Sequence, residues 1–159
     1  MMDQSLITES HISWISAENL MFIRGGLVLT MFVSYFGAIL KENIVKHIMK
    51  MTYWGIYISF FNELLMFLAY FRTYDVEYDN LCKFLFHIQI GMQGLIFVYY
   101  WFFALPLEPE DFSTLKGFEN AISKHLLPLL FVFVEVFINN IHYDLKKGWL
   151  WVFWLVGMY

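Results

Sequence analysis

The sequence predicts an all-α, polytopic transmembrane helical bundle with four full spans and a partial fifth. Three observations carry this. Of 159 residues, 60% are hydrophobic and only 15% charged, whereas a soluble domain has about 45–50% apolar and about 25% charged residues. The apolar residues come in blocks of about 20, the length that crosses a bilayer as a helix. Short polar loops separate the blocks, and a chain in lipid must satisfy its backbone hydrogen bonds internally, which such blocks can do only as helices.

Residues 1–20 read as a polar N-terminal tail, exposed or interfacial, ahead of a transmembrane domain over 21–159. Trp14 suits the headgroup level. Ser16, three residues ahead of Asn19, marks the start of a helix. No basic n-region precedes a short apolar run, so no cleavable signal peptide is read. The first span covers about Met21 to Leu40. Its Arg24 lies near the tail end, where an arginine snorkels to the interface as an anchor. The loop Lys41 to Lys50 carries three lysines, Glu42 and His47.

The second span runs from about Met51 to Phe71. Thr52 opens it, as a helix-capping Thr would, and Glu63 and Asn62 lie inside it. An acidic, aromatic loop, Arg72 to Asn80, leads to the third span, about Leu81 to Leu105. Gln89 and Gln93 are four apart and share one face, as interhelical hydrogen-bonding residues do. His87 is the third polar group there, and Tyr99, Tyr100 and Trp101 form an aromatic belt near the exit.

Pro106 and Pro109 are expected to stop that helix ahead of an acidic run, Glu108, Glu110 and Asp111. The fourth span, Ala121 to Tyr143, is the most demanding. It carries His125, Glu135, Asn139, Asn140 and His142, and an ionisable group at membrane depth costs roughly 3 kcal/mol unless paired or protonated. Pro128 sits one turn inside and implies a mild kink. After a very short loop, Trp149 to Tyr159 is apolar but too short to cross. It reads as interfacial, docked on a partner, or a span cut off midway.

The formal net charge of −4 argues against nucleic acid, which wants basic surface. The single cysteine, Cys82, excludes an internal disulfide and a thiolate-rich metal site. Lysines and arginines fall on both sides, so no orientation is readable.

Two polar constellations could carry chemistry. The second and fourth spans start on the same side, because two crossings separate their starts. Thr52 and His125 therefore share a depth, and a hydroxyl beside an imidazole suits a nucleophile with its general base. Glu63, His87 and Glu135, one from each of three spans, could with Gln89 hold a proton or a metal. No ligand motif such as paired Glu-x-x-His is present, so no metal and no cofactor is expected. The plainer expectation is that the two carboxyls are protonated, or paired with residues such as His87 and Asn62.

Thr52 in "MTYWGIY", the pair Tyr100-Trp101, and "NAISKHLLPLLFVFVE" from Asn120 to Glu135 together resemble a known family. So do His142-Tyr143 and "WLVGMY" at the end. The family is the androgen-induced (FAR-type) multi-pass membrane hydrolases, which cleave fatty acid esters of hydroxy fatty acids. The resemblance implies catalysis by Thr52 and His125, and its longest matching segment contains Asn120 and Glu135; these two, with Glu63 and His87 of the second constellation, are the expected supporting polar groups. His125 lies ten residues before Glu135, as the family's second His does before its Glu. The first His of the family's pair has no counterpart here, since Ala121 follows Asn120. The expected partners are membrane lipids. The alternative is a non-catalytic membrane subunit packed against other subunits of a larger assembly.

Overall fold

The computed structural model describes residues 7–39, 50–107, 114–142 and 144–158. The loop lysines Lys41 and Lys46 with Glu42 and His47, the acidic run Glu108, Glu110 and Asp111, and Tyr143 lie outside them. All secondary structure among the described residues is helical. Four helical segments are long and apolar enough to cross a membrane: Ala17–Tyr35, Met51–Phe71, Val76–Leu107 and Gly117–Ile138.

Helix α1 (Ala17–Ile39) starts where Ser16 Oγ accepts the Asn19 N–H at 3.2 Å. That satisfies one of the donors a helix start leaves free. Helix α2 (Met51–Leu68) follows and closes with a 3₁₀ turn, Ala69–Phe71. Its N-cap is Lys50, which makes no side-chain cap bond, so Thr52 lies inside the first turn rather than capping it.

Helix α3 (Val76–Tyr99) begins about five residues earlier than the apolar pattern implies. Asp75 is the cause: its side chain accepts from the Glu77 and Tyr78 N–H groups and draws the helix into the polar loop. The helix also outruns its expected stop at Pro106. A π-helical turn, Tyr100–Ala104, leads into a last α turn, Leu105–Leu107.

The fourth span is composite: α4 (Leu115–Ala121), a π turn (Ile122–Leu126) and α5 (Leu127–Ile138). Thr114 caps α4 through the Gly117 N–H at 3.2 Å. The span therefore sits a few residues earlier than Ala121–Tyr143. Helix α6 (Leu145–Met158) is the partial fifth; 14 residues reach about 21 Å.

The two π turns share one cause. Each ends two residues before a proline, Pro106 and Pro128. A helical proline lacks an N–H and its ring presses on the carbonyl four residues back. Widening the turn relieves that pressure: the Leu105 N–H reaches back five residues to the Tyr100 carbonyl, and Leu127 to Ile122. At Pro128 the irregularity takes the form of a π turn.

Helix α2 packs between α1 and α3, α6 lies on the outer side of α3, and α5 closes the bundle against α1, α2 and α3. Close approach is built in at two glycines. A Cβ at Gly55 would run into the Ile96 side chain, and a Cβ at Gly91 into Val152 of α6. The outside is apolar: Phe22, Leu29, Phe61, Phe102 and Phe137 are exposed, as a lipid-facing surface requires.

The segment before α1 differs from the expected exposed or interfacial tail. Trp14 is 79% exposed, yet Ile7 and Ile15 are buried. Ser10 Oγ donates to the Ile138 carbonyl, and His11 Nδ1 lies 2.6 Å from the Asn139 carbonyl. Residues 7–16 thus cover the end of α5 and satisfy carbonyls that a helix terminus leaves open.

Candidate functional site

Two polar regions lie at different depths in the bundle. Thr52 and Glu63 are eleven residues apart on α2, which separates the regions by about 16 Å along the axis.

The shallower region gathers where α2 begins. His125 stands in the π turn of the fourth span. Its ring lies flat against Tyr100, which opens the π turn of the third: the centroids are 3.5 Å apart and the planes 4° apart. The two π turns thus meet through one stacked pair, and π turns recur at functional sites. His125 Nδ1 is buried and has no hydrogen-bond partner among the described residues. Lys124 Nζ sits over the Tyr53 ring, 5.4 Å from its centroid. Lys50 and Lys124 are both within electrostatic reach of His125. The imidazole therefore stands beside the first turn of α2, at the depth topology predicts. Thr52 itself is partly buried, and among the described residues no hydrogen bond joins it to His125.

Next to that turn, α1 and α2 flank an apolar pocket of about 210 Å³ that is open on its outer side. Met31, Phe32 and Tyr35 form one wall, and Ile56, Tyr57 and Phe60 the other. Ile56 and Phe60 are four and eight residues beyond Thr52, on the same face of the helix. Tyr53, Ile56 and Phe131 join Met31 and Tyr35 in one buried cluster, with Leu127 packed on it.

The deeper region is a polar core. Arg24 is fully buried rather than interfacial. Its Nε and Nη2 donate to the two carboxylate oxygens of Glu135, each at 2.9 Å. Nη1 donates to the Ile7 carbonyl and, at 3.2 Å, to the Tyr70 hydroxyl. The expected snorkelling fails because α1 and α5 bring guanidinium and carboxylate together in fork geometry, the strongest pairing open to either.

The other half of the core joins α2 to α3. Asn62 Nδ2 donates to Gln89 Oε1, Gln89 Nε2 to Glu63 Oε1 at 3.2 Å, and Gln93 Nε2 to Ser59 Oγ at 2.7 Å. Glu63, Gln89, Gln93 and Glu135 all face the interior, as their polarity demands.

His87 is not among the groups that touch the two carboxyls. It lies two residues from Gln89, about 200° around the helix, and its Nδ1 bonds the Lys83 carbonyl of its own helix. Asn120 is in the last turn of α4. Among the described residues no group of three His, Cys, Asp or Glu side chains is placed to hold a metal.

Arg24 and Tyr100 are the two groups whose roles sequence reasoning missed. The signal for Arg24 was present: the first span starts, and the fourth ends, on one side, which puts Arg24 and Glu135 at one depth. For Tyr100 the signal was the parallel placement of Pro106 and Pro128. Compared with family models, curated proteins and solved structures, the chain matches none.

Proposed function

We propose that the protein is an intramembrane hydrolase of long-chain lipid esters, working through Thr52 and His125. The observation that carries the reading is His125: a partly buried imidazole in a π turn, stacked flat on Tyr100, with a buried Nδ1 that has no hydrogen-bond partner among the described residues, beside the first turn of α2. A Thr hydroxyl is a weak nucleophile and needs a base within hydrogen-bond reach. The apolar cavity along the Thr52 face of α2 supports an acyl substrate entering from the bilayer. The resemblance to the FAR-type hydrolases supports the same pair and fatty acid esters of hydroxy fatty acids as the substrate class.

In the reaction, His125 takes the Thr52 hydroxyl proton as Oγ attacks the ester carbonyl. The tetrahedral intermediate collapses to an acyl-threonine, and the imidazolium returns the proton to the departing alkoxide. Water then gives its proton to His125 and attacks the acyl group, which releases the fatty acid and restores the hydroxyl. Thr52 and His125 must close to hydrogen-bond distance with substrate bound, a tightening that sites without substrate commonly need.

Purified protein in nanodiscs should hydrolyse a long-chain ester. Thr52→Ala and His125→Ala should each abolish turnover and leave the helical signal intact. Full turnover in both folded variants would refute the assignment. A folded wild-type protein inert toward long-chain esters would favour the non-catalytic subunit.

A further inference from the structure

The polar core contains an unanswered hydrogen-bond requirement, remote from Thr52 and His125. The Glu63 carboxyl is fully buried. Its Oε1 accepts from Gln89 Nε2, while Oε2 has no donor among the described residues. It also lies within hydrogen-bonding reach of the Glu135 carboxyl. Glu135 is itself occupied, because both its oxygens accept from Arg24.

Among the described residues, the charged and titratable groups facing this point are few. From α1 come Arg24 and Tyr35; beyond α2 stands Tyr70, on the far side of the guanidinium; from α5 comes Glu135. The neutral amide of Gln89 faces it from α3. One guanidinium therefore stands against two carboxyls, a surplus of one negative charge in a fully enclosed core.

Two ionised carboxylates are acceptors only and cannot hydrogen bond to each other. Side by side in a dry interior they repel, and carboxyls within hydrogen-bonding reach of each other hold one proton in common. One proton answers both deficits here. It supplies the donor between the two groups, and it brings the charge of the cluster to zero.

We propose that Glu63 and Glu135 form a buried proton-binding site, in which one proton is held between the two carboxyls beside the Arg24 guanidinium. The proton is exchangeable and belongs to the pair, not to either residue. It bonds α2 to α5, as Arg24 bonds α1 to α5 and Gln89 bonds α3 to α2. All four full spans are thereby tied to one cluster.

The test is infrared spectroscopy of the purified protein in nanodiscs at neutral pH, read at the C=O stretch of un-ionised carboxyls. The wild type should show such a band, shifting in deuterium oxide. Glu63→Gln should remove it while circular dichroism stays helical, since an amide replaces the proton as donor to Glu135. Glu135→Gln should remove it as well, because Glu63 is then the sole carboxyl for Arg24 and pairs as a carboxylate. Absence of the band from folded wild-type protein would overturn the proposal. So would a band that survives either substitution in folded protein. The wild-type reading keeps the test decisive if one variant does not fold.

Discussion

Arg24→Met is the substitution that most directly probes what holds the bundle together. It keeps much of the side chain's apolar length and removes every donor. The losses can be itemised: two bonds of 2.9 Å to Glu135, one to the Ile7 carbonyl and one of 3.2 Å to the Tyr70 hydroxyl. Both partners of the ion pair are fully enclosed, so water does not screen it. Removing one member of a buried pair costs about 3–5 kcal/mol, because the remaining charge is left uncompensated. The Ile7 carbonyl adds about 1 kcal/mol. Together these predict a loss of about 4–6 kcal/mol, a large fraction of the roughly 5–15 kcal/mol that a folded protein has in total. Equilibrium unfolding in mixed micelles, followed by circular dichroism, measures it. Adding Glu135→Gln should restore part of the loss, since the orphaned carboxylate is then gone. A loss below about 1 kcal/mol for Arg24→Met would refute the reasoning, for that is the range of exposed, screened pairs.

Two further predictions concern the turn that carries His125 and the docking of the last helix. Pro128→Ala restores an N–H and removes the ring's pressure on the Lys124 carbonyl. The π turn should tighten to an α turn, rotating His125 about 100° off Tyr100, so ester turnover should fall at least tenfold with the helical signal unchanged; undiminished turnover would contradict the π turn's role. Gly91→Ala places a Cβ against Val152. Overpacking costs about 1–3 kcal/mol, so α6 should become readily cleaved by protease in the variant and stay protected in the wild type.

The membrane-type fold was legible because it rests on composition and block length, which survive any detail of packing. The Met51–Phe71 segment was read to the residue, since Lys50 and Arg72 bracket it. Boundaries slipped where capping groups outweighed hydropathy, at Asp75 and Thr114. Glu63, Gln89, Gln93 and Glu135 were legible as interior groups because lipid tolerates them nowhere else. Their partners were less so: a carboxylate in an apolar run shows that it needs a partner without naming it. Arg24 was read as interfacial because arginines near span ends commonly snorkel. Depth is the one feature that pairs it, because the first span starts and the fourth ends on one side, which sets Arg24 level with Glu135. The stack of His125 on Tyr100 depends on two π turns, and periodicity alone assumes regular α geometry throughout.

The proposed hydrolysis requires an acyl-enzyme on Thr52. Mass spectrometry of the intact protein, and of its peptides, after brief incubation with a slowly hydrolysed long-chain ester tests this most directly. The account predicts a mass increase equal to the acyl group, located on the peptide containing Thr52, absent from Thr52→Ala and strongly reduced in His125→Ala. Ester cleavage with the acyl group on another residue, or an equal adduct on Thr52→Ala, would contradict it.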